Sequence, residues 1–225
     1  MSMIKQTQSL IPITPSKMSD EEFSQLSSSV KFLPRVQLFT DNSKLCKQKK
    51  FPTGHYGLMV SKDKAIDMDE QFDCLPINVR GKALDMRVKP PVSVFDPQSE
   101  QFQVIKAASA VKNSSCMFGA EYLIWLPKLK RFATFYFGTP TMRRSSAEFK
   151  ELIGYATTCS IEWIPSEEYG GWHGPVITEC TTPLESIPSD SVRVEQEQLF
   201  LNPGDMETED DEEEVVTEGT PARAR

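Results

Sequence analysis

Histidine is nearly missing from this chain of 225 residues: there are two, His55 and His173. There is no GxSxG elbow, no GxxxxGKS/T or GxGxxG phosphate loop and no HExxH pair. The acid pair Glu167–Glu168 and the C-terminal carboxylates stand in loop-like or low-complexity surroundings, which cannot hold the fixed geometry of acid–base catalysis. Cysteine is sparse as well. The five residues at 46, 74, 116, 159 and 180 are odd in number and form no CxxC, which argues against a zinc ribbon and a secreted disulfide framework. A reducing, cytoplasmic compartment is expected, that of the host cell if the chain is viral. No run approaches the roughly 18 apolar residues of a membrane span, and the opening MSMIKQTQSLIPITPSK lacks the apolar core of a signal peptide. The expectation is a binding protein with no cofactor and no metal, rather than an enzyme.

What is present is charge, unevenly placed. Residues 184–225 hold thirteen acids and three bases, a net −10, so residues 1–183 carry +3 of the total −7. Within that body, Lys31–Lys50 has six bases against Asp41, and Lys128–Lys150 has six against Glu148, so each segment is +5. An acidic tail on a locally basic body points to an anionic ligand with which the tail competes.

Texture divides the chain into three. Residues 1–29 are rich in Ser, Thr, Gln and Pro and read as a flexible lead-in, with one short helix signal from Ser19. Residues 30–183 show short β-favouring runs between turn residues, at 33–40, 54–61, 72–81, 84–89, 92–95, 101–106, 119–127 and 132–138, with two more at 159–166 and 173–180. The run SSAEFKELIGYA (145–156) predicts the one main helix, with Ser145 and Glu148 at capping-box spacing, after a polar connector TPTMRR. Many strands and one helix predict a mainly β sandwich or barrel. Residues 184–225 predict a disordered acidic tail.

The chemistry-bearing pattern is basic residues interleaved with aromatics. A sequence-tolerant single-strand binder needs cations for phosphates and flat rings on which unpaired bases stack. One segment offers Lys44, Lys47, Lys49, Lys50 and Tyr56; another offers Trp125, Lys128, Lys130, Arg131, Tyr136, Arg143 and Arg144; Lys82 and Arg87 lie between them. These fourteen are the candidate DNA-contacting residues. Core packing competes for every ring. In FATFYFG, strand alternation places Phe132, Thr134 and Tyr136 on one face and Ala133, Phe135 and Phe137 on the other, so Phe135 and Phe137 are assigned to the core and Tyr136 to the surface. Trp125 is open to either role. The lysines of KLCKQKK could also be a solvated loop.

KFLPRVQLFT, FPTGHYGLMV and RGKALDMRV, together with the run TEDDEEE (208–214), resemble the single-stranded DNA-binding proteins of bacteriophages. The resemblance implies an OB-like Greek-key barrel with extra strands, acting in DNA replication, recombination or repair. It also implies a tail, here Glu209, Asp210, Asp211, Glu212, Glu213 and Glu214, that contacts replication or recombination proteins. Many such tails end in an aromatic residue, whereas this chain ends TPARAR, so the tail uses another mode or imitates DNA within the molecule. Two rivals remain open. One is a β-rich structural, assembly or inhibitor protein whose tail imitates nucleic acid. The other is a nuclease with carboxylates drawn from Asp73, Asp85 and Asp96.

Overall fold

Short alternating segments need partners to cover their apolar faces, and here nine strands find them in one mainly β sheet. The computed structural model describes residues 33–61, 63–111, 113–165 and 171–202. The strands are β1 (Arg35–Leu38), β2 (Tyr56–Ser61), β3 (Lys64–Asp67), β4 (Gln71–Asp85), β5 (Val92–Val94), β6 (Cys116–Leu126), β7 (Arg131–Phe137), β8 (Thr157–Ile164) and β9 (Trp172–Glu179). Their order is β3-β2-β1-β7-β6-β4-β8-β9, with β5 on β4, and only β1–β7 is parallel. The order does not close into a ring. It curls nonetheless, since the Tyr56 hydroxyl of β2 donates to the Ser160 carbonyl of β8 at 3.0 Å although four strands separate them in the order.

The concave face holds the main core. Val36, Tyr56, Phe72, Cys74, Tyr122, Phe135, Phe137 and Cys159 meet there, with edge-on ring pairs such as Tyr56–Phe72 at 4.8 Å and Tyr122–Phe137 at 5.1 Å between centroids. Phe135 and Phe137 are buried, as alternation predicts. The long strand β4 serves both halves of the sheet because its register shifts between Pro76 and Asn78. Up to Pro76, even-numbered residues face the core; beyond the extra residue, Val79, Gly81 and Ala83 take that side, and Arg80 and Lys82 turn to the convex face with Leu75 and Ile77.

Among the described residues, five α-helices decorate the sheet: α1 (Lys44–Lys47), α2 (Glu100–Ser109), α3 (Pro140–Arg144), α4 (Ser146–Glu151) and α5 (Asp190–Leu201). Several expectations are corrected. QFQVIK (101–106) is helix α2 rather than strand: the Ser99 hydroxyl caps it by accepting from Phe102 N–H, and Phe102 and Ile105 are buried while Val104 is exposed, a spacing of three that alternation cannot give. The single helix expected at 145–156 ends at Glu151, before Gly154 at φ +87, and Ser145 donates to the Pro175 carbonyl instead of capping. The connector TPTMRR forms α3, capped by Thr139.

The largest correction concerns the tail. Residues 184–202 fold back onto the convex face, where Leu184, Val192 and Phe200 pack with Leu75, Ile77, Leu123, Trp125 and Phe132. Val192, Gln196 and Phe200, four apart, form the buried stripe of α5, whose charged residues are Asp190, Arg193, Glu195 and Glu197. The expected lead-in at 1–29, its helix signal at Ser19, and Glu209, Asp210, Asp211, Glu212, Glu213 and Glu214 lie outside the described residues.

Trp125 is 0% exposed and donates its indole N–H to the Ser186 carbonyl at 3.0 Å. Trp125→Ala removes that bond and opens a cavity between sheet and C-terminal segment, and should lower stability by about 3–5 kcal/mol in urea unfolding.

Candidate nucleic-acid interface

The β8–β9 hairpin pairs with itself from Thr157 to Ile164, but with β4 only from Thr157 to Ser160, so its distal half reaches beyond the sheet. There Trp163 faces His173 across the ladder, rings 5.0 Å apart and edge-on, with Trp163 55% exposed. The indole lies over Gly171. A Cβ at that position would come within 2.5 Å of the ring, and the φ of +127 suits glycine. The opposite face of the hairpin carries Ile164 and Trp172.

Two basic segments border this hairpin. The first is the loop that carries α1, pinned to the convex face by Phe39, Leu45 and Phe51. Gly57 on β2 makes room for it, since a Cβ there would meet the Phe39 ring at 2.6 Å. The loop presents exposed Lys44, Lys47, Lys49 and Lys50, with Lys44 3.5 Å from Asp63, and its Gly54, at φ +78, lies against His173. The second is α3. Its Arg144 guanidinium stands 5.8 Å from the Trp172 ring centroid, Arg143 is exposed beside it, and Thr141 Cγ2 would lie 3.4 Å from a Cβ at Gly174. The Trp172 indole N–H is buried without an acceptor. Two lysine- and arginine-bearing segments some 90 residues apart in the sequence therefore flank one hairpin with an exposed indole at its end.

The other candidates distribute differently. Lys128, Lys130 and Arg131 lie at the β6–β7 turn, with Lys130 at φ +46, and that turn is tied to the C-terminal segment by the Ser186 hydroxyl donating to the Pro127 carbonyl. Tyr56 and Trp125 are corrected from stacking platforms to core: both are 0% exposed, and a ring without a free face cannot receive a base. Lys82 is also corrected, because it is buried rather than offered to a phosphate. Arg87 is exposed and forms a two-pronged pair with Asp85, 2.9 and 2.7 Å, which holds the Asp85 carboxyl down to about 2.

Lys82 belongs to a polar cluster on the convex face. Cross-strand pairing aligns Arg80 of β4, Glu121 of β6 and Tyr136 of β7 in one row. Glu121, 2% exposed, accepts from Arg80 Nε at 2.8 Å and from Lys82 Nζ at 2.9 Å. Burial pushes its carboxyl up, but the charges of Lys82 and Arg80 and their hydrogen bonds prevail and hold it below the usual carboxylate range. Tyr136 is half-buried rather than open, donates to the Lys82 carbonyl, and its phenol is pushed well up by burial and by Glu121. Arg80 meets two rings, its guanidinium carbon 3.6 Å from the Phe95 centroid and 4.2 Å from that of Phe200.

Asp73, Asp85 and Asp96, the carboxylates of the nuclease alternative, are not brought together. Asp73 accepts from the Thr158 hydroxyl near one end of β4, Asp85 stands about 40 Å away at the other end at normal strand rise, and Asp96 accepts from Gln98 N–H in the turn before α2. Among the described residues, His55, Asp67 and Asp69 form a group whose ligand atoms lie within 4.8 Å of one another and could hold a cation. The His55–Asp67 hydrogen bond, 2.9 Å, accounts for that pair without one.

Sequence reasoning missed Trp163, Trp172 and Arg80. Trp163 had a signal in CSIEWIPS (159–166) followed by EEYGGW (167–172), since a Gly-Gly loop with Trp163 before it and Trp172 after it marks a hairpin whose end can be aromatic. The chain matches no protein-family model, no curated protein and no solved structure.

Glu121→Gln leaves two buried cations without a counter-charge and should cost about 3–5 kcal/mol. Since the folded carboxyl titrates below its unfolded value near 4.3, the pair's contribution is complete above about pH 5 and is lost as pH falls through the folded value. Urea midpoints of wild type and variant should therefore converge on acidification.

Proposed function

We propose that the chain is a sequence-nonspecific single-stranded DNA-binding protein of phage or viral type, serving DNA replication, recombination or repair. The observation that carries this reading is the β8–β9 hairpin, which offers an exposed indole between two separately encoded basic segments. Cations at Lys47, Lys49, Lys50, Arg143 and Arg144 would meet phosphates, and Trp163 would stack a base, which only an unpaired strand can present. A duplex keeps its base faces covered. The curl of the sheet around one core supports treating the scaffold as OB-like. On this reading the protein is a binder rather than a catalyst, works in the cytoplasm, and uses the run Glu209–Glu214 to compete with DNA and to contact replication or recombination proteins.

A structural, assembly or inhibitor role is the second reading. It is favoured by the burial of Tyr56 and Trp125, which leaves fewer rings for stacking.

Fluorescence polarisation with labelled oligodeoxythymidine and a duplex separates them. Binding should prefer the single strand and fall by at least tenfold between about 50 and about 200 mM salt. Trp163→Ala should weaken it by ~1–3 kcal/mol at fixed salt. Replacing Lys49 and Lys50 by Ala should instead flatten the slope of log K against log salt by roughly 1 for each phosphate no longer neutralised. Absence of single-strand binding would overturn the proposal in favour of the second reading.

A further inference from the structure

Arg80 is held in an unusual way for a cation that merely fills space. Its guanidinium is packed against two rings, Phe95 and Phe200 of α5, while Nη1 donates to the Phe200 carbonyl. A flat ring on the guanidinium plane and an oxygen on its edge are the two groups that an unpaired nucleotide offers to arginine. Around it the charges do not balance: Arg80 and Lys82 share the single carboxylate of Glu121, leaving a surplus of one positive charge beneath the helix. The helix is acidic, with Asp190, Glu195 and Glu197 against Arg193, and the chain beyond it continues to the run Glu209–Glu214.

The cover is also imperfectly fitted. The Arg193 Nε is buried with no hydrogen-bond partner, and Gln196 is buried as part of the contact stripe. A buried donor without an acceptor and a buried polar side chain lower the free energy of local opening relative to that of the sheet below, where Val79–Asp85 of β4 and Ala120–Leu126 of β6 are held by continuous cross-strand pairing.

From these observations we infer that Arg80, with Lys82, Tyr136 and Phe95, forms a second nucleotide-binding subsite that α5 occupies in the free protein, Phe200 standing where a base and a phosphate oxygen would lie. A bound strand displaces the helix and takes over the guanidinium. This rests on the single-strand reading of the hairpin and extends it. It also gives Lys82 and Tyr136 a role that their burial in the closed state hides. The device differs from simple charge competition by the acidic run, because it is set by the fit of Phe200 and Gln196.

The test uses the full chain as wild type, Phe200→Ala, Gln196→Leu and Trp163→Ala, with labelled oligodeoxythymidine as the probe and amide hydrogen exchange as a second readout. Phe200→Ala should bind about tenfold more tightly, and Gln196→Leu, which replaces a buried polar group in the contact stripe, should bind more weakly. In the wild type, α5 amides should exchange faster when the strand is bound, while β6 and β7 amides become no less protected. If Phe200→Ala does not fold, Gln196→Leu and the exchange of α5 still decide the matter. Unchanged affinity in Gln196→Leu with unchanged or greater protection of α5 on binding overturns the subsite; if Trp163→Ala still weakens binding in that case, the single-strand reading survives alone. Loss of all strand binding in the wild type overturns both.

Discussion

The architecture depends on one irregularity, the extra residue between Pro76 and Asn78 in β4. Proline cannot donate to a ladder, and a bulge is where a long strand tolerates it. Without the shift, the side that carries Phe72 and Cys74 into the core would carry Asn78, Arg80 and Lys82 there too. Burying two further cations against the rings of Tyr122 and Phe137 would cost several kcal/mol each. With it, one strand is apolar on the concave face at one end and cationic on the convex face at the other. The core, the ion cluster and the seat of α5 follow from that single change of side.

Strand existence and the assignment of Phe135 and Phe137 to the core were legible because period-two alternation is a local signal. The acidic and basic segments were legible from counting. What alternation could not reveal was the destination of rings and cations whose partners lie far along the chain. Trp125 stays open between core and stacking platform until Ser186, about 60 residues later, covers it. Lys82 reads like a phosphate contact until Glu121 claims it. Residues 184–202 read as tail because their average is acidic, whereas burial is decided by three side chains spaced four apart. QFQVIK failed for the opposite reason: its β-branched residues suggest a strand, and the Ser99 cap outweighs them.

The two ends of the sheet are managed differently. At one, β3 is short and mostly exposed, and Lys64 and Asp67 put charge on it, which discourages pairing with another strand. At the other, β9 is bordered by α3, with Ser145 taking up the Pro175 carbonyl. That arrangement both shields an edge and delivers Arg143 and Arg144 to the hairpin, so edge protection and the candidate interface share the same residues.

The cysteines give the fold a built-in clock. Cys74 and Cys159 are wholly enclosed between β4 and β8, Cys116 is buried beneath α2 with Phe102 and Ile105, and Cys46 and Cys180 are half-buried. A thiol reagent added to the native protein thus meets three kinds of sulfur: those it can approach through modest surface fluctuation, one it reaches when α2 lifts, and two it reaches only when β4 and β8 part. The labelling of Cys74 and Cys159 reports how often the concave core is open to water.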